Sequence, residues 1–327
     1  MDSSSAGAGS ILITGGAGFI GSHVIESLLA RGERVTCVDS FDTFYDPAIK
    51  RANLAAATLH QNFVLIEADI RDLERMEALC ETHQVTRIFH AAARAGVRPS
   101  LRDPLLYADV NVRGTLVLLE VARRRAVSNF VFASSSSVYG GVEHVPFSED
   151  MPLNRPISPY AATKLAGELL CSTYHHLYGF PVTCLRFFTV YGPRQRPDMA
   201  IHRFVRLTEQ DEPVPIYGDG TARRDFTYID DIVQGVLAAL DRPFPFEVFN
   251  LGESATIELK ELIGLIEGCL GKRARLQWLP PEPGDMPITY ADISKAARLL
   301  GYRPRTPVKE GLPRFVEWFR TEGRIRP

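Results

Sequence analysis

The chain has no large excess of charge of either sign. Its 37 Lys and Arg stand against 39 Asp and Glu, for a net charge of −2 at pH 7. That balance argues against a nucleic-acid or membrane-surface partner, either of which would call for a basic patch or tail. Cysteine is scarce: the five at positions 37, 80, 171, 184 and 269 are odd in number and scattered, with no Cys-x-x-Cys. They read as reduced core thiols of a cytoplasmic protein, not as a disulfide framework. The eight histidines do not fall in metal-ligand spacing, so no metal is expected. No apolar run reaches the ~18 residues of a membrane-crossing helix. Residues 1–9 are rich in Ser, Gly and Ala without basic or apolar stretches, so they read as a flexible tail and not a signal peptide.

What is present is a regular alternation. At 327 residues the chain has room for about two domains. Short apolar runs predict strands near 11–14, 34–38, 63–67, 87–91, 129–133, 182–187 and 247–251. Helical patterns fill most of the gaps, the longest near 104–126 and 159–179. Alternation of this kind implies an α/β fold with a doubly wound parallel (Rossmann) sheet covered on both faces. Beyond Tyr191 the pattern loosens into Pro-rich stretches and shorter helices. The expected division is a dinucleotide-binding domain over 10–190, rejoined by 230–251, and a smaller C-terminal α/β substrate lobe over 191–327.

The first strand runs into Thr14-Gly15-Gly16-Ala17-Gly18-Phe19-Ile20-Gly21. The glycines satisfy Gly-x-Gly-x-x-Gly at 16, 18 and 21 and, equally, Gly-x-x-Gly-x-x-Gly at 15, 18 and 21. Such a loop lets backbone N–H groups approach a pyrophosphate at a helix N-terminus. Asp39 ends the second apolar run, where a carboxylate can accept from both ribose hydroxyls of NAD and would repel a 2′-phosphate. Ser40-Phe41-Asp42 offers no Arg to neutralise that phosphate, so NAD is expected over NADP. Asp69 follows the third strand and is placed to meet an adenine edge, a plain strand cap being the alternative. Ala91-Ala92-Ala93 ends the fourth strand with side chains small enough for close cofactor approach.

Ser158-Pro159-Tyr160-Ala161-Ala162-Thr163-Lys164 carries the chemistry. Tyr160 and Lys164 are four apart and leave the same helix face. A phenol is a poor base at neutral pH, with an ordinary pKa near ~10, and a neighbouring ammonium favours the phenolate. The pair can then accept the proton of an alcohol that is losing hydride.

With the glycine loop, Tyr160/Lys164 and the run Ser134-Ser135-Ser136-Ser137 in register, the chain resembles the extended short-chain dehydrogenase/reductase superfamily over nearly its whole length. It is most similar to nucleotide-sugar 4-epimerases, and among these to UDP-glucuronate 4-epimerases. The segments that carry the closer likeness are Ala95–Ser100, Arg186–Pro193 with Arg194–Met199, Arg223–Tyr228 and Pro283–Pro287. The resemblance implies transient oxidation at C4 of a UDP-sugar by tightly held NAD, rotation of the ketone and return of the hydride. It implies that Tyr160 is the base, that Lys164 also reaches the nicotinamide ribose, and that Ser135, or a neighbour among 134–137, bonds the 4-hydroxyl. Phe19, Ile20, Ile70, Asn111, Ser134 and Phe187 are implied to line the cofactor. Arg98, Ser100, Ser136 and Ser137 would lie beside the sugar, Arg196 with Thr189 would hold a uronate carboxylate, Arg224 the diphosphate and Asp285 the uridine ribose. Helices near 104–126 and 159–179 resemble the pair that joins a homodimer in this superfamily.

Neutral Ser136 and Ser137 stand where dehydratases of the superfamily carry an Asp-Glu pair, and where the related decarboxylases carry a Glu at the second position. Serines cannot serve as general acid or base at C5, so dehydration and programmed decarboxylation are disfavoured. Two alternatives to a glucuronate epimerase stay open: a UDP-glucose or broad-specificity epimerase, and a non-catalytic NAD-binding scaffold.

Overall fold

The computed structural model describes residues 9–142, 144–281 and 286–323, so the N-terminal tail read from the sequence lies, Gly9 apart, outside the described residues. Seven strands form the central sheet: β1 (Ser10–Thr14), β2 (Val35–Asp39), β3 (Phe63–Glu67), β4 (Val85–His90), β5 (Asn129–Ser135), β6 (Val182–Phe187) and β7 (Phe246–Leu251). Their order is β7-β6-β5-β4-β1-β2-β3, so the direction of growth reverses between β1 and β4. The sheet is parallel, with Ile11 opposite Val35, Leu12 opposite Ile88 and Phe89 opposite Val131. In open sheets of this kind ligands bind outside the carboxyl ends of the strands at such a reversal.

The strands form where they do because they are buried on both faces. β1, β2, β5 and β6 are buried along their whole length, which is why they read as short unbroken apolar runs without polar alternation. β3, at the sheet edge, is only partly covered. The core against the sheet includes Leu12, Val38, Ile88, Leu118, Phe130 and Phe132, with Cys80, Cys171 and Cys184 among them as small hydrophobes.

The helices that matter for the site are α1 (Phe19–Ala30), α2 (Val97–Arg102), α3 (Pro104–Tyr107), α4 (Gly114–Arg124) and α5 (Pro159–Tyr178). The sequence predicts one helix over 104–126, but α3 and α4 are joined by a π-helical turn, Ala108–Arg113. The widened turn carries the buried Asn111, whose amide meets the loop at Arg94 and the side chain of Thr163. Apolar spacing alone does not reveal such a turn, because it arises from a tertiary hydrogen-bond demand.

The chain forms two compact units. One comprises the chain up to Ser134 with Pro159–Leu185 and Val236–Val248; the other comprises Ser135–Ser158, Arg186–Gly235 and the chain from Phe249 onward. They interleave along the sequence, so no single cut near residue 190 separates them. The second unit holds the short parallel pair Thr189–Tyr191 with Phe226–Tyr228, the antiparallel pair Arg223–Arg224 with Ile257–Glu258, and the parallel pair Pro213–Tyr217 with Arg275–Leu279. Its helices include α6 (Ala200–Glu209) and α7 (Val308–Thr321).

How closely α5 lies on the sheet is set by Gly167. A Cβ there would stand 2.5 Å from Cζ of the buried Phe132 ring on β5. Gly167→Val should therefore lower the free energy of unfolding by about 1–3 kcal/mol through overpacking, read as a lower urea midpoint. An unchanged midpoint would show slack between α5 and β5 that the geometry denies.

Candidate active site

The cradle at the end of β1 is built from what its glycines lack. Gly15 has φ +68, and a Cβ on it would come within 2.7 Å of the Ala92 backbone. A Cβ on Gly21 would meet Gly15 O at 2.6 Å, and one on Gly16 would meet Cys37 Sγ at 2.5 Å. Gly18 is different: its missing Cβ faces only Gly15 O, at 3.1 Å, and it caps α1 with no side-chain hydrogen bond to the first turn. The glycines at 15, 16 and 21 permit close packing within the protein, whereas Gly18 leaves the N-terminal amides of α1 open to an anion. Both glycine spacings that the sequence offers are thus in use, for different reasons.

Asp39 holds this loop to β2. Its buried carboxylate accepts from Ala17 N at 3.1 Å and Phe41 N at 2.9 Å. Burial raises its pKa, opposed by those two N–H groups and by Lys50. A carboxylate has about four acceptor positions, so two remain for ribose hydroxyls. Asn53 clamps the same residue from the other side, donating to Ala17 O at 3.0 Å. Neither Asn53 nor Lys50 was singled out from the sequence; both lie on the helix Pro47–Asn53, for which Asp46-Pro47 is the only local start signal.

The other residues expected at the cofactor divide. Ala91, Ala92 and Ala93 are partly exposed beside the cradle, and Ala91 N and Ala92 N bond to Thr14. Phe19 and Ile70 are buried and Ile20 partly so, Ile70 lying where a Cβ on Gly114 would touch it. Asp69 is engaged by Arg71, whose backbone N and Nε both meet Oδ1 at 2.9 Å, and which also pairs with Asp109. That favours the strand-cap reading over an adenine contact. Asn111 uses both ends of its amide within the protein: Oδ1 accepts from Arg94 N, and Nδ2 donates to Arg94 O and to Thr163 Oγ1. It fastens the 94–96 loop to α5.

Lys164 is buried and donates from Nζ to Ala133 O, near the end of β5, at 2.7 Å. Burial pushes its pKa down to about 8, with Glu168 pulling the other way. Tyr160 lies one turn earlier, partly exposed, with its ring edge-on to Tyr107 at 6.3 Å. Ser134 points its hydroxyl at buried Glu168 on α5, at 2.5 Å, so that hydroxyl is committed away from any ligand. Arg98 is partly exposed on α2. Ser100 is fully buried and donates to Val97 O at 2.5 Å. Its hydroxyl donor serves the turn of α2, which leaves only its acceptor positions for a sugar.

The remaining candidates belong to the second unit. Ser135 caps the 3-10 turn Ser136–Tyr139: its Oγ accepts from Ser137 N and lies 3.1 Å from Ser137 Oγ. The turn is anchored by Tyr139, which is fully buried and stacked on Phe147 at 4.8 Å. The Tyr139 hydroxyl donates to Asn250 Oδ1 at 2.8 Å and accepts from Arg186 Nη1 at 2.7 Å. Phe187 is buried, and Thr189 N donates to Asp225 O. Arg224 donates to Arg223 O at 2.9 Å. Arg196 forms a two-bond pair with Asp198, at 2.9 and 2.8 Å. Asp285 lies outside the described residues.

Asp225 was quoted from the sequence only as part of a motif, and its burial is what local reading misses. Its carboxylate accepts from Glu253 N, Ser254 N, Ala291 N and Thr227 Oγ1. Burial raises its pKa to about 6 against those bonds.

The cradle, the acidic strand end and the Tyr-Lys turn fit a nicotinamide dinucleotide and an alcohol that exchanges hydride with it. Comparison with known proteins points the same way. Residues 11–252 match the family described as the NAD dependent epimerase/dehydratase family. The chain is 44% identical to UDP-glucuronate 4-epimerase of Thermodesulfobacterium geofontis, covering 95% of this chain and 96% of that protein. The crystal structure of UDP-glucuronic acid 4-epimerase from Bacillus cereus with UDP-glucuronic acid and NAD is 39% identical, with a TM-score of 0.91 over 95% of this chain and 99% of that one. UDP-glucose 4-epimerase of Thermotoga maritima, solved with UDP-glucose, is 35% identical, with a TM-score of 0.88 over 95% and 98%. On the family match and these identities, the chain belongs to the NAD-dependent epimerase/dehydratase family, within the extended short-chain dehydrogenase/reductases.

Proposed function

We propose that this protein interconverts UDP-glucuronate and UDP-galacturonate by epimerisation at C4 of the sugar. The observation that carries the reading is the turn of α5 that sets Tyr160 beside a buried Lys164, held at the end of β5, two strands along the sheet from β1 and its glycine loop. The choice of sugar is supported by the substrate named for the Bacillus cereus enzyme and by the activity named for the Thermodesulfobacterium relative.

Gly15, Gly18, Gly21, Asp39 and Ala91–Ala93 would hold NAD, which when bound supplies a hydride acceptor that takes the C4 hydrogen from one face and returns it to the other. Tyr160 takes the proton of the 4-hydroxyl and gives it back. Lys164 stabilises the phenolate by its charge. Ser135 bonds the same oxygen, Ser134 being turned toward Glu168. Arg98 lies beside the sugar, and Arg224 meets the diphosphate. Ser136 and Ser137, uncharged, leave C5 without an acid or base. Arg196 and Thr189 receive the uronate carboxylate, Arg196 through its planar fork.

A second reading, a neutral sugar such as that of UDP-glucose, is favoured by the pairing of Arg196 with Asp198, which leaves that pair without net charge. Incubation of the purified protein with UDP-glucuronate, without added NAD, separates the two. Conversion to a mixture with UDP-galacturonate, without CO2, is expected, and Tyr160→Phe should abolish it while retaining bound NAD. Turnover of UDP-glucose alone, or a fully active Tyr160→Phe, would overturn the assignment.

The shifted pKa of Lys164 has a consequence for stability. The folded value of about 8 lies below the ordinary 10.5, so the unfolded chain binds the extra proton between them and stability rises with pH over that window. Below about pH 8 the buried ammonium costs on the order of 3 kcal/mol, less the bond to Ala133. Lys164→Met should be more stable than wild type at pH 7 by about 1–3 kcal/mol, and inactive, with the difference shrinking from pH 8 to 10. A variant less stable at pH 7 would show that the ammonium's hydrogen bond outweighs its burial.

A homodimer through α3, α4 and α5 is supported by apolar side chains exposed on them, Leu105 at 81% and Leu169 at 62%. Light scattering should give twice the chain mass for wild type and a single mass for the Leu105→Asp/Leu169→Asp double variant. A monomeric wild type at micromolar concentration would remove the dimer.

A further inference from the structure

The loop from Gly192 to Met199, which leads from the short strand Thr189–Tyr191 into α6, is pinned along its length. Gln195 is buried; its Nε2 donates to Val190 O at 2.9 Å and its Oε1 accepts from His202 N at 3.1 Å. The Gln195 carbonyl lies 2.6 Å from His202 Nδ1, and Met199 N donates to Arg196 O at 3.1 Å. His202 is in turn enclosed edge-on by Phe315, Trp318 and Phe319 of α7. Arg196 therefore leaves a backbone with little freedom to move.

Its side chain is fixed too. Nε donates to Asp198 Oδ1 at 2.9 Å and Nη2 to Oδ2 at 2.8 Å, so both carboxylate oxygens meet one edge of the guanidinium. Asp198 is more than a third exposed, and a pair that exposed adds little to stability. What two parallel bonds do supply is orientation: they fix the plane of the guanidinium and the direction of its other edge, formed by Nη1 and Nη2.

We propose that Asp198 is a positioning residue for the substrate carboxylate: it holds one edge of the Arg196 guanidinium so that the other meets the uronate at a set angle. This rests on the reading above that Arg196 receives that carboxylate. The angle matters because a uronate oxidised at C4 is a β-keto acid. Loss of CO2 breaks the C5–C6 bond; its electron pair enters the enolate across C5, C4 and O4, which then takes a proton at C5. That path opens when the C5–C6 bond lies parallel to the carbonyl π system and closes when the bond lies in the carbonyl plane. A fork fixed in its own plane keeps the bond in the closed position. A fork free to swing does not.

Asp198→Asn keeps the size of the side chain but offers one acceptor where two are used. With UDP-glucuronate it should raise the share of turnovers that end in CO2 and a pentose product at least ten-fold over wild type. KM should rise several-fold and change more than kcat, and Asp198→Glu should restore part of the loss. Bound NAD and the thermal midpoint report folding, and Asp198→Ser replaces the Asn variant should that one fail to fold. Wild-type product partition and KM would overturn the proposal. So would a lower KM without CO2, which would make Asp198 a competing counter-ion. Arg196→Ala, run in parallel, separates the two failures. If it too gives wild-type KM and no CO2, the carboxylate reading of Arg196 falls; if it leaks CO2 while Asp198→Asn does not, only the part given to Asp198 falls.

Discussion

A buried ammonium governs the catalytic end of this molecule. Lys164 is taken out of water on α5 and compensated by one strand-end carbonyl, Ala133 O, with Glu168 as the acidic neighbour that burial also encloses. An ammonium without partners there would be costly, so the bond, with the buried face of Ala161, Gly167, Cys171 and Tyr174, favours one rotation and one register of α5 against β5. Gly167 fixes the remaining variable, the separation of helix from strand, by offering Phe132 no Cβ to meet. Tyr160 inherits its place from these two constraints. A tyrosine placed this way has its base strength set by a charge that cannot swing away, which is what reversible proton transfer to and from one oxygen requires.

The cofactor end obeys a similar logic with opposite sign. Asp39 is a buried acid whose pKa burial raises, with two backbone N–H groups and Lys50 opposing the rise. Because one of those groups belongs to Ala17, in the middle of the glycine loop, the residue expected to read the ribose also holds the loop expected to read the pyrophosphate. Asn53 closes the grip on the carbonyl of the same residue. Recognition and loop geometry are therefore coupled, and a neutral residue at 39 would loosen both.

What was legible in the sequence follows from distance along the chain. The glycine loop, Asp39 and the Tyr160/Lys164 pair are local patterns, and the seven strands of the central sheet were placed to within two residues because a strand in its interior is an unbroken apolar run; the short strands of the second unit, such as Pro213–Tyr217 and Arg275–Leu279, were not. The π-helical turn at Ala108–Arg113, Asn53 and the commitment of Ser134 to Glu168 were not legible, since each depends on a partner set by tertiary packing. The bond from the Ser100 hydroxyl back to Val97 was not legible for the same reason. Arg196 stood out in the sequence as a candidate, but its pairing with Asp198 two residues on did not, because a loop motif does not state its own conformation.

In the second unit polar hubs add direction to an apolar core that includes Phe147, Phe188, Ile216 and Phe249. Tyr139, Arg186 and Asn250 join the serine turn to segments about fifty and a hundred residues away. Asp225 does the same for the 253–254 loop and Ala291, one residue past Arg224. Apolar packing is non-directional and would tolerate small slides of these loops, whereas a buried hydrogen bond that slips leaves a polar group unsatisfied at a cost of about 1–3 kcal/mol. The turn that carries Ser135 and the strand that carries Arg224 are held against displacement by that penalty. The hubs thus convert the cost of burying polar groups into angular precision. Substitutions at Tyr139 or Asp225 should accordingly disturb ligand geometry without removing any group that touches a ligand.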